Sequence, residues 1–280
     1  MTDQIPRAKV MEVFADVRAH RSMADLIREH STNRDDVREV ALAGLDIQKC
    51  RNILDLGCGF GFFTEALGDK IHPKAIVTGV DFIDAYERAF LDACGRAALE
   101  GRFMSDGVSR LSALSNGSFD LILCSYALYF FPEVIPSIAR ILAHDGLFVA
   151  ITHDKSNMAE MISVFKDVLR RNRMLEGDHL PLERILSRFS SENGMGLLKP
   201  WFAAVRTKDY CNSLVFRPED SGRVLEYFLF KSPLLLSSTN VAAEWAAHLL
   251  TEQFRQTSVL RDGFTMSKSD RIFICSSPIA

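Results

Sequence analysis

The chain is short of several things, and each shortage excludes a class of protein. Its six cysteines, Cys50, Cys58, Cys94, Cys124, Cys211 and Cys275, never form a C-x-x-C pair. That excludes a zinc knuckle and a thioredoxin-like redox motif. Thiols scattered in this way suit a reducing compartment, where a free cysteine behaves as a small apolar residue. There is no surplus of positive charge: 33 Lys+Arg face 36 Asp+Glu, a formal net charge of −3. A general nucleic-acid binder needs a basic surplus to neutralise phosphates, so that class is disfavoured. Long apolar runs are missing too. Residues 121–131 form the longest, well short of the roughly 20 needed to span a bilayer. The first residues, MTDQIPRAKVMEVFADVR, contain no apolar h-region, so no signal peptide is expected and the location is read as cytoplasmic. Tryptophan (2) and tyrosine (5) are scarce, whereas phenylalanine occurs 20 times. No repeat or low-complexity tract is present.

What remains is an ordinary globular composition, 48% hydrophobic and 25% charged over 280 residues. Such a length buries a sizeable core without disulfide or metal staples. The first fifty residues read as helical, with Val10, Phe14 and Val17 at helical spacing. A second helix is expected to open after Thr32, with Asp35 completing a start of capping-box type, and Val37, Val40, Ala41 and Leu45 as its buried stripe. From Arg51 the pattern becomes short apolar runs alternating with helices. Strands are expected at 52–56, 75–80 (AIVTGV), 102–104, 119–125 (FDLILCS) and 147–152 (LFVAIT), and helices at 62–68, 86–99 and 135–142. The 86–99 helix carries Phe90, Leu91 and Cys94. Continuously apolar strands separated by helices indicate a parallel sheet covered on both faces. The fold class is therefore α/β, doubly wound. Beyond Thr152 helical stripes return, then an extended strand at 203–216, a helix opened by Pro218, another at 241–254 and a last strand at 271–275.

The segment with chemistry in it is Ile53-Leu54-Asp55-Leu56-Gly57-Cys58-Gly59-Phe60-Gly61. A buried strand runs into glycines at alternate positions and is expected to continue directly into a helix. Absent β-carbons let the backbone approach a ligand, and a helix start offers free N–H donors. A dinucleotide fingerprint needs G-x-G-x-x-G. Here the third glycine comes one residue early, and Phe62 stands where that motif needs it.

These residues, with those that follow, resemble the class I S-adenosylmethionine-dependent methyltransferases, in particular the small-molecule branch whose first motif reads I-L-D-L-G-C-G-x-G. The resemblance spans about residues 51–152. It implies a mostly parallel seven-stranded Rossmann-like sheet whose last strand runs antiparallel. The implied cofactor is S-adenosyl-L-methionine, with S-adenosyl-L-homocysteine as product. It further implies that the loop of Gly57, Cys58, Gly59 and Gly61 packs against the methionine part of the cofactor, with Asp55 beneath. Asp81, closing the second strand, would accept both ribose hydroxyls, a role for which a carboxylate is chemically suited. Phe82 and Ile83 would lie against the adenine, Asp106 would accept the adenine amino group with Gly107 beside it, and Ser125 and Tyr126 would face the cofactor. Where the family usually has a Pro-Gly-Gly or Lys-Gly-Gly turn, this chain has His144-Asp145-Gly146; the glycine keeps the turn.

Methyl transfer from a sulfonium is an in-line displacement in which the protein mainly aligns the nucleophile and excludes water. No metal ligand set is visible. His153, just past the fifth strand, reads either as a general base or as a histidine satisfying backbone groups. Tyr126 is the second catalytic candidate, and Tyr129 reads as packing. His20, Arg21 and His30 read as a solvated helix face. The run Leu225-Glu226-Tyr227-Phe228-Leu229-Phe230 is apolar nearly all round, so that helix is buried or lines a pocket. The expected organisation is an N-terminal helical cap (1–50) and a methyltransferase core (51–280) with helical lid insertions at about 155–188 and 218–256, enclosing a small acceptor with apolar surface. Transfer to O, N or C is open, as is oligomeric state. Rival readings are a cofactor-binding sensor or scaffold without transfer, a protein- or nucleic-acid-modifying methyltransferase and, least supported by the glycine spacing, an oxidoreductase. Against the nucleic-acid reading stands Cys124-Ser125-Tyr126-Ala127, where an Asn/Asp-Pro-Pro-aromatic tetrapeptide would hold a flipped base.

Overall fold

A computed structural model describes residues 6–175, 177–237, 241–256 and 263–279. The first five residues of the segment tested for a signal peptide, and residues 238–240 of the expected 218–256 insertion, lie outside the described residues.

The strands are β1 (Asn52–Leu56), β2 (Ile76–Val80), β3 (Glu100–Met104), β4 (Phe119–Ser125), β5 (Leu142–His153), β6 (Phe202–Tyr210), β7 (Ser213–Phe216), β8 (Phe264–Ser267) and β9 (Asp270–Pro278). Seven of them form one sheet in the order β3-β2-β1-β4-β5-β9-β6. The five strands β1–β5 pair in parallel, while β9 runs antiparallel to both β5 and β6. This is the doubly wound, mostly parallel seven-stranded arrangement expected. The strand order reverses beside β1, where open α/β sheets bind ligands at the carboxyl ends of their strands. Ile53, Leu54 and Leu56 of β1 and Leu121, Ile122 and Leu123 of β4 are completely buried, as central strands covered on both faces must be.

The chain divides into two compact units. The larger comprises 35–153, 188–210 and 270–280 and contains the seven-stranded sheet. Its helices are α3 (Val37–Leu42), α4 (Tyr86–Arg96), α5 (Ile135–Ile141) and α8 (Gly194–Leu198). Residues Val37, Ala41, Leu42, Ile47 and Cys50 join Ile53, Phe63 and Phe90 in one apolar cluster of this unit. The other unit comprises 1–34, 154–187 and 211–269. It holds α1 (Arg7–Phe14), α2 (Val17–His30), α6 (Ala159–Arg171), α7 (Pro181–Leu186), α9 (Ser221–Leu235), α10 (Ala243–Gln256) and the antiparallel β7–β8 ribbon. Most of the buried phenylalanines, Phe63, Phe90, Phe148 and Phe273 among them, lie in the sheet unit, and fewer in this one. Phe165, Phe216 and Phe228 are buried, and Phe14 meets Phe230 edge-on at 5.9 Å.

Several local expectations are corrected. The periodicity from Val10 to Val17 is broken after Phe14, because Asp16 caps α2 by accepting from the N–H groups of Arg18 and Ala19. The cap of α3 is Asp36, which accepts from Arg38 N–H, rather than Thr32. The extended segment 203–216 is two strands in two sheets. Between them Asn212 is buried and takes hydrogen bonds from Asn33 N–H and the Thr32 hydroxyl. His20 and His30 are not solvated. Burial and the neighbouring Lys231 push His20 down to about 3, and His30 bonds the Val215 carbonyl through Nδ1 at 3.1 Å. Leu229 is exposed at 39%, so the apolar run 225–230 is not buried on every side.

Candidate active site

The site is assembled at the carboxyl ends of β1, β2, β4 and β5, together with the start of β9. Because β9 is antiparallel to β5, its first residue, Asp270, is brought opposite His153 at the end of β5. Every group described in this site belongs to the unit that carries the sheet.

Beneath the glycine loop, Asp55 is fully buried one residue before the carboxyl end of β1. Its Oδ2 accepts the Thr64 hydroxyl at 2.7 Å, and Thr64 is itself fully buried. Its Oδ1 is buried with no hydrogen-bond partner among the described residues. Burial pushes this carboxyl from 3.8 up to about 7, against the opposing pull of the Thr64 hydrogen bond, and Asp81 adds a smaller upward push. The segment after the loop is not the α-helix expected. It is a chain of turns with two short 3-10 stretches, Thr64–Ala66 and Gly68–Lys70. β-branched Thr64, tied down to Asp55, and Gly68 are both poor helix formers, and the tighter turn results.

This change alters what the loop can do. Gly57, Gly59 and Gly61 all have positive φ, +66°, +49° and +82°, conformations that glycine tolerates best. Yet their N–H groups are already used. Gly57 and Cys58 donate to the Val80 carbonyl, Gly61 to the Cys58 carbonyl, and Gly59 to Asp81 Oδ2 at 3.0 Å. The glycines therefore set the path of the backbone rather than presenting a bank of donors for a phosphate. Cys58 points inward with 5% exposure.

Asp81, just past β2, is held from two sides. Its Oδ2 accepts Gly59 N–H and its Oδ1 accepts Ile83 N–H at 3.0 Å. Each oxygen keeps a further lone pair, so the carboxylate can still accept two parallel hydroxyls. Burial raises this carboxyl, and backbone N–H groups of Ile83, Gly59 and Phe82 hold it down in part. Of the two residues expected against adenine, Phe82 is half-exposed. Ile83 is turned inward at 2% exposure and contributes its N–H. Gly107 lies against Phe82, where a β-carbon would sit 3.1 Å from the Phe82 Cβ. Asp106 is exposed and lies 3.6 Å from the Arg110 guanidinium. Ser125 ends β4 half-buried.

Tyr126 follows with φ +55°, a conformation that costs a non-glycine residue about 1–3 kcal/mol and must be held by its surroundings. What holds it is clear. Its hydroxyl donates to Asp270 Oδ2 at 2.7 Å, and its ring stacks on His153 at 4.8 Å. The other oxygen of Asp270 lies 2.7 Å from His153 Nδ1. Tyr129, 7% exposed, stacks against the same imidazole at 5.9 Å. Sequence reasoning singled out Tyr126 and His153 but missed Asp270 and Thr64. A signal for Asp270 existed: an antiparallel last strand necessarily begins at the carboxyl edge of the parallel ones.

The comparisons with known proteins agree with this geometry. Residues 53–146 match the family model described as a methyltransferase domain. This part of the chain resembles the class I S-adenosylmethionine-dependent methyltransferases. Demethylmenaquinone methyltransferases of Listeria welshimeri and Listeria monocytogenes are each 24% identical to it over 136 residues, 48% of this chain. The matched region spans just over half the length of those relatives, 58% and 57%. Among solved structures, a candidate methyltransferase from Bacillus halodurans superimposes with a TM-score of 0.55 at 14% identity, covering 88% of this chain and all of its own. The [4+2]-cyclase SpnF superimposes with a TM-score of 0.54 at 15% identity over 99% of this chain and 98% of its own. At those identities the likeness is one of fold.

The residues present fit the family's cofactor, S-adenosylmethionine. The buried Oδ1 of Asp55 lacks a partner among the described residues, Asp81 has acceptor capacity to spare, and the N–H groups of the three loop glycines, already engaged, make no phosphate cradle. Among the described residues no group of three or more potential metal ligands occurs, and no helix is long and apolar enough to cross a membrane.

Proposed function

We propose that the protein is a cytoplasmic enzyme transferring the methyl group of S-adenosylmethionine to a small molecule with substantial apolar surface. The observation that carries the reading is the Asp55–Asp81 pair, one carboxylate under the glycine loop and one at the adjoining strand end. In this reading Asp55 balances the ammonium of the methionine part, while Gly57, Cys58, Gly59 and Gly61 shape the wall against it. Asp81 accepts the ribose hydroxyls. Phe82 lies on the adenine with Ile83 behind it, Asp106 and Gly107 meet the adenine edge, and Ser125 and Tyr126 close the side facing β4. When bound, the cofactor supplies an electrophilic methyl group on a sulfonium. The chain's own contribution is to orient the acceptor in line with it and to keep water out. His153 and Tyr126 are the side chains proposed at the reacting end. No nucleic acid is expected as partner, on the acidic charge balance and the residues at 124–127. The cytoplasmic placement rests on the six cysteines, all free thiols.

Titration calorimetry tests the cofactor. S-adenosylmethionine and S-adenosylhomocysteine should bind in the micromolar range, and nicotinamide dinucleotides should not; the opposite pattern removes the reading. Asp81→Ala should weaken cofactor binding at least tenfold, about the 1.4 kcal/mol expected for losing a charged acceptor. Unchanged affinity would show that the ribose partner is another residue. Because the same fold carries a [4+2]-cyclase, binding and transfer are separate measurements. Transfer is read from labelled methyl groups with a panel of small acceptors, including the demethylmenaquinone for which the Listeria relatives are named.

A further inference from the structure

We propose that Lys231 is the anion-binding residue of a further ligand site, in the helical unit, that takes a small organic acid. The carboxylate sits on the Lys231 ammonium and the apolar body lies against the rings of Phe14, Phe230 and Tyr227. Every residue of the site belongs to that unit, and the site is independent of the methyltransferase reading.

The sequence brings these groups together. Tyr227 and Lys231 are four residues apart in α9 and so share a face, with Phe230 beside them. Phe14 closes α1 and His20 falls in the first turn of α2, and both helices pack against α9. Three rings meet one another there. Phe14 lies 4.9 Å from His20 and 5.9 Å from Phe230, and His20 stacks on Phe230 at 6.2 Å. The Lys231 ammonium enters this cluster, its Nζ 5.3 Å from the centre of Phe230, 5.5 Å from that of Phe14 and 5.9 Å from that of Tyr227. Phe14, His20, Phe230 and Lys231 are each only partly buried, so the cluster keeps surface at which a ligand can arrive.

What surrounds the ammonium is aromatic carbon, not negative charge. Among the described residues Lys231 makes no ion pair and no hydrogen bond, and its contacts are with rings. Rings offset only part of the cost of taking an ammonium out of water, and a buried cation ordinarily has a carboxylate as well. The other basic groups nearby add to the imbalance. Burial first, and the like charge of Lys268 second, lower the Lys231 amine to about 8, and Lys268 is itself 5% exposed. Burial first, and Lys231 second, push His20 down to about 3. At neutral pH His20 is therefore uncharged, whereas Lys231 is still mostly protonated. A methionine would fill the same place between the rings without that cost.

The class of ligand follows from the walls. Phosphate and sulfate are small and strongly hydrated, and they are held by guanidinium forks or by rows of backbone N–H groups. Here an ammonium stands among aromatic rings. That combination suits one negative charge carried on an apolar body, which is a carboxylic acid with an aromatic or aliphatic chain.

The test is calorimetric titration of the wild type and of Lys231→Met, without S-adenosylmethionine. The probes are benzoate, phenylacetate and hexanoate, their neutral amides, and inorganic phosphate. The acids should bind, and each amide should bind more weakly by about tenfold or more, the loss expected for a charged hydrogen bond. In Lys231→Met the acids should fall to the affinity of their amides. The urea midpoint of that variant should equal or exceed the wild-type value, because a buried charge has been removed from the ligand-free protein. Acids and amides that bind alike, acids that bind Lys231→Met as well as the wild type, or no binding by any of the acids overturns the proposal. Phosphate bound more tightly than all three acids overturns the ligand class. The comparison of acid with amide is made on the wild type, so it decides the matter even if the variant fails to fold.

Discussion

Replacing Asp55 with Asn should abolish a pH dependence of stability worth about 4 kcal/mol in the cofactor-free protein. Folding raises this carboxyl from 3.8 to about 7, chiefly through burial. Between those two values the folded state binds more proton than the unfolded chain, so stability falls as pH rises. The contribution is fully present below about pH 4 and has been lost by the time pH passes 7. A rise of roughly three units, at ~1.4 kcal/mol each, gives the size of the effect. No solvent screening applies, since the side chain is completely buried. Asparagine has the same shape, and its carbonyl oxygen can still accept from Thr64, so the variant isolates the charge. Urea unfolding of both proteins from pH 4 to pH 8 is the measurement. The variant's stability minus that of the wild type should climb by about 4 kcal/mol across the range; a flat difference would mean that Asp55 is ionised without penalty. The cost also has a functional meaning. A buried carboxylate with one unpartnered oxygen is expensive to keep; in the proposed reading the ammonium of the methionine part would offset that expense.

How much of this was legible in the residues depends on which force decided each element. The strands β1 and β4 were read to the residue, because a strand buried on both faces is mostly apolar and such short runs, here NILDL and FDLILCS, stand out. Asp81 was legible for a related reason: it is the first charge after a run of that kind, so it has to lie at the strand's carboxyl end. Thr64 was not. Its hydroxyl is drawn inward by a carboxylate nine residues earlier, and that tertiary bond replaced the expected α-helix with 3-10 turns. The extended reading of 203–216 failed at Asn212, whose buried side chain is bound by residues near position 32, far away in sequence. Periodicity cannot register such a partner. His20 was misread because a helix with polar residues on several faces looks solvated until an aromatic neighbour such as Phe14, 4.9 Å away, covers it. Asp270 lay in between. The antiparallel last strand implied that its first residue reaches the site, but only the register of β9 against β5 puts that residue opposite His153.

The same contrast separates two explanations of the glycine loop. If its glycines served to expose N–H donors, the loop would be a phosphate cradle and a dinucleotide would be the natural ligand. In the structure those donors are bound to Val80, Cys58 and Asp81, so the glycines answer to backbone conformation and to close packing. Gly57 and Gly61 show the packing directly. A β-carbon on Gly61 would lie 2.6 Å from the Ala93 Cβ, and one on Gly57 would run into the Ala127 Cβ.

Gly57→Ala should therefore destabilise the protein by about 2–5 kcal/mol, from two separable sources. The first is the left-handed conformation, φ +66°, which costs an alanine roughly 1–2 kcal/mol. The second is overpacking against Ala127, which is 7% exposed, at about 1–3 kcal/mol. Gly44 provides the control. Its φ is +72°, and nothing lies within 4 Å of where its β-carbon would be, so Gly44→Ala should show the conformational cost alone. Adding Ala127→Gly to Gly57→Ala should recover the packing part, giving a coupling energy of about 1–3 kcal/mol in a double-mutant cycle. Midpoints of urea unfolding at constant m-value measure all four variants. Equal costs at positions 44 and 57, or no coupling between 57 and 127, would show that the close approach of the loop to the segment after β4 is not what requires glycine.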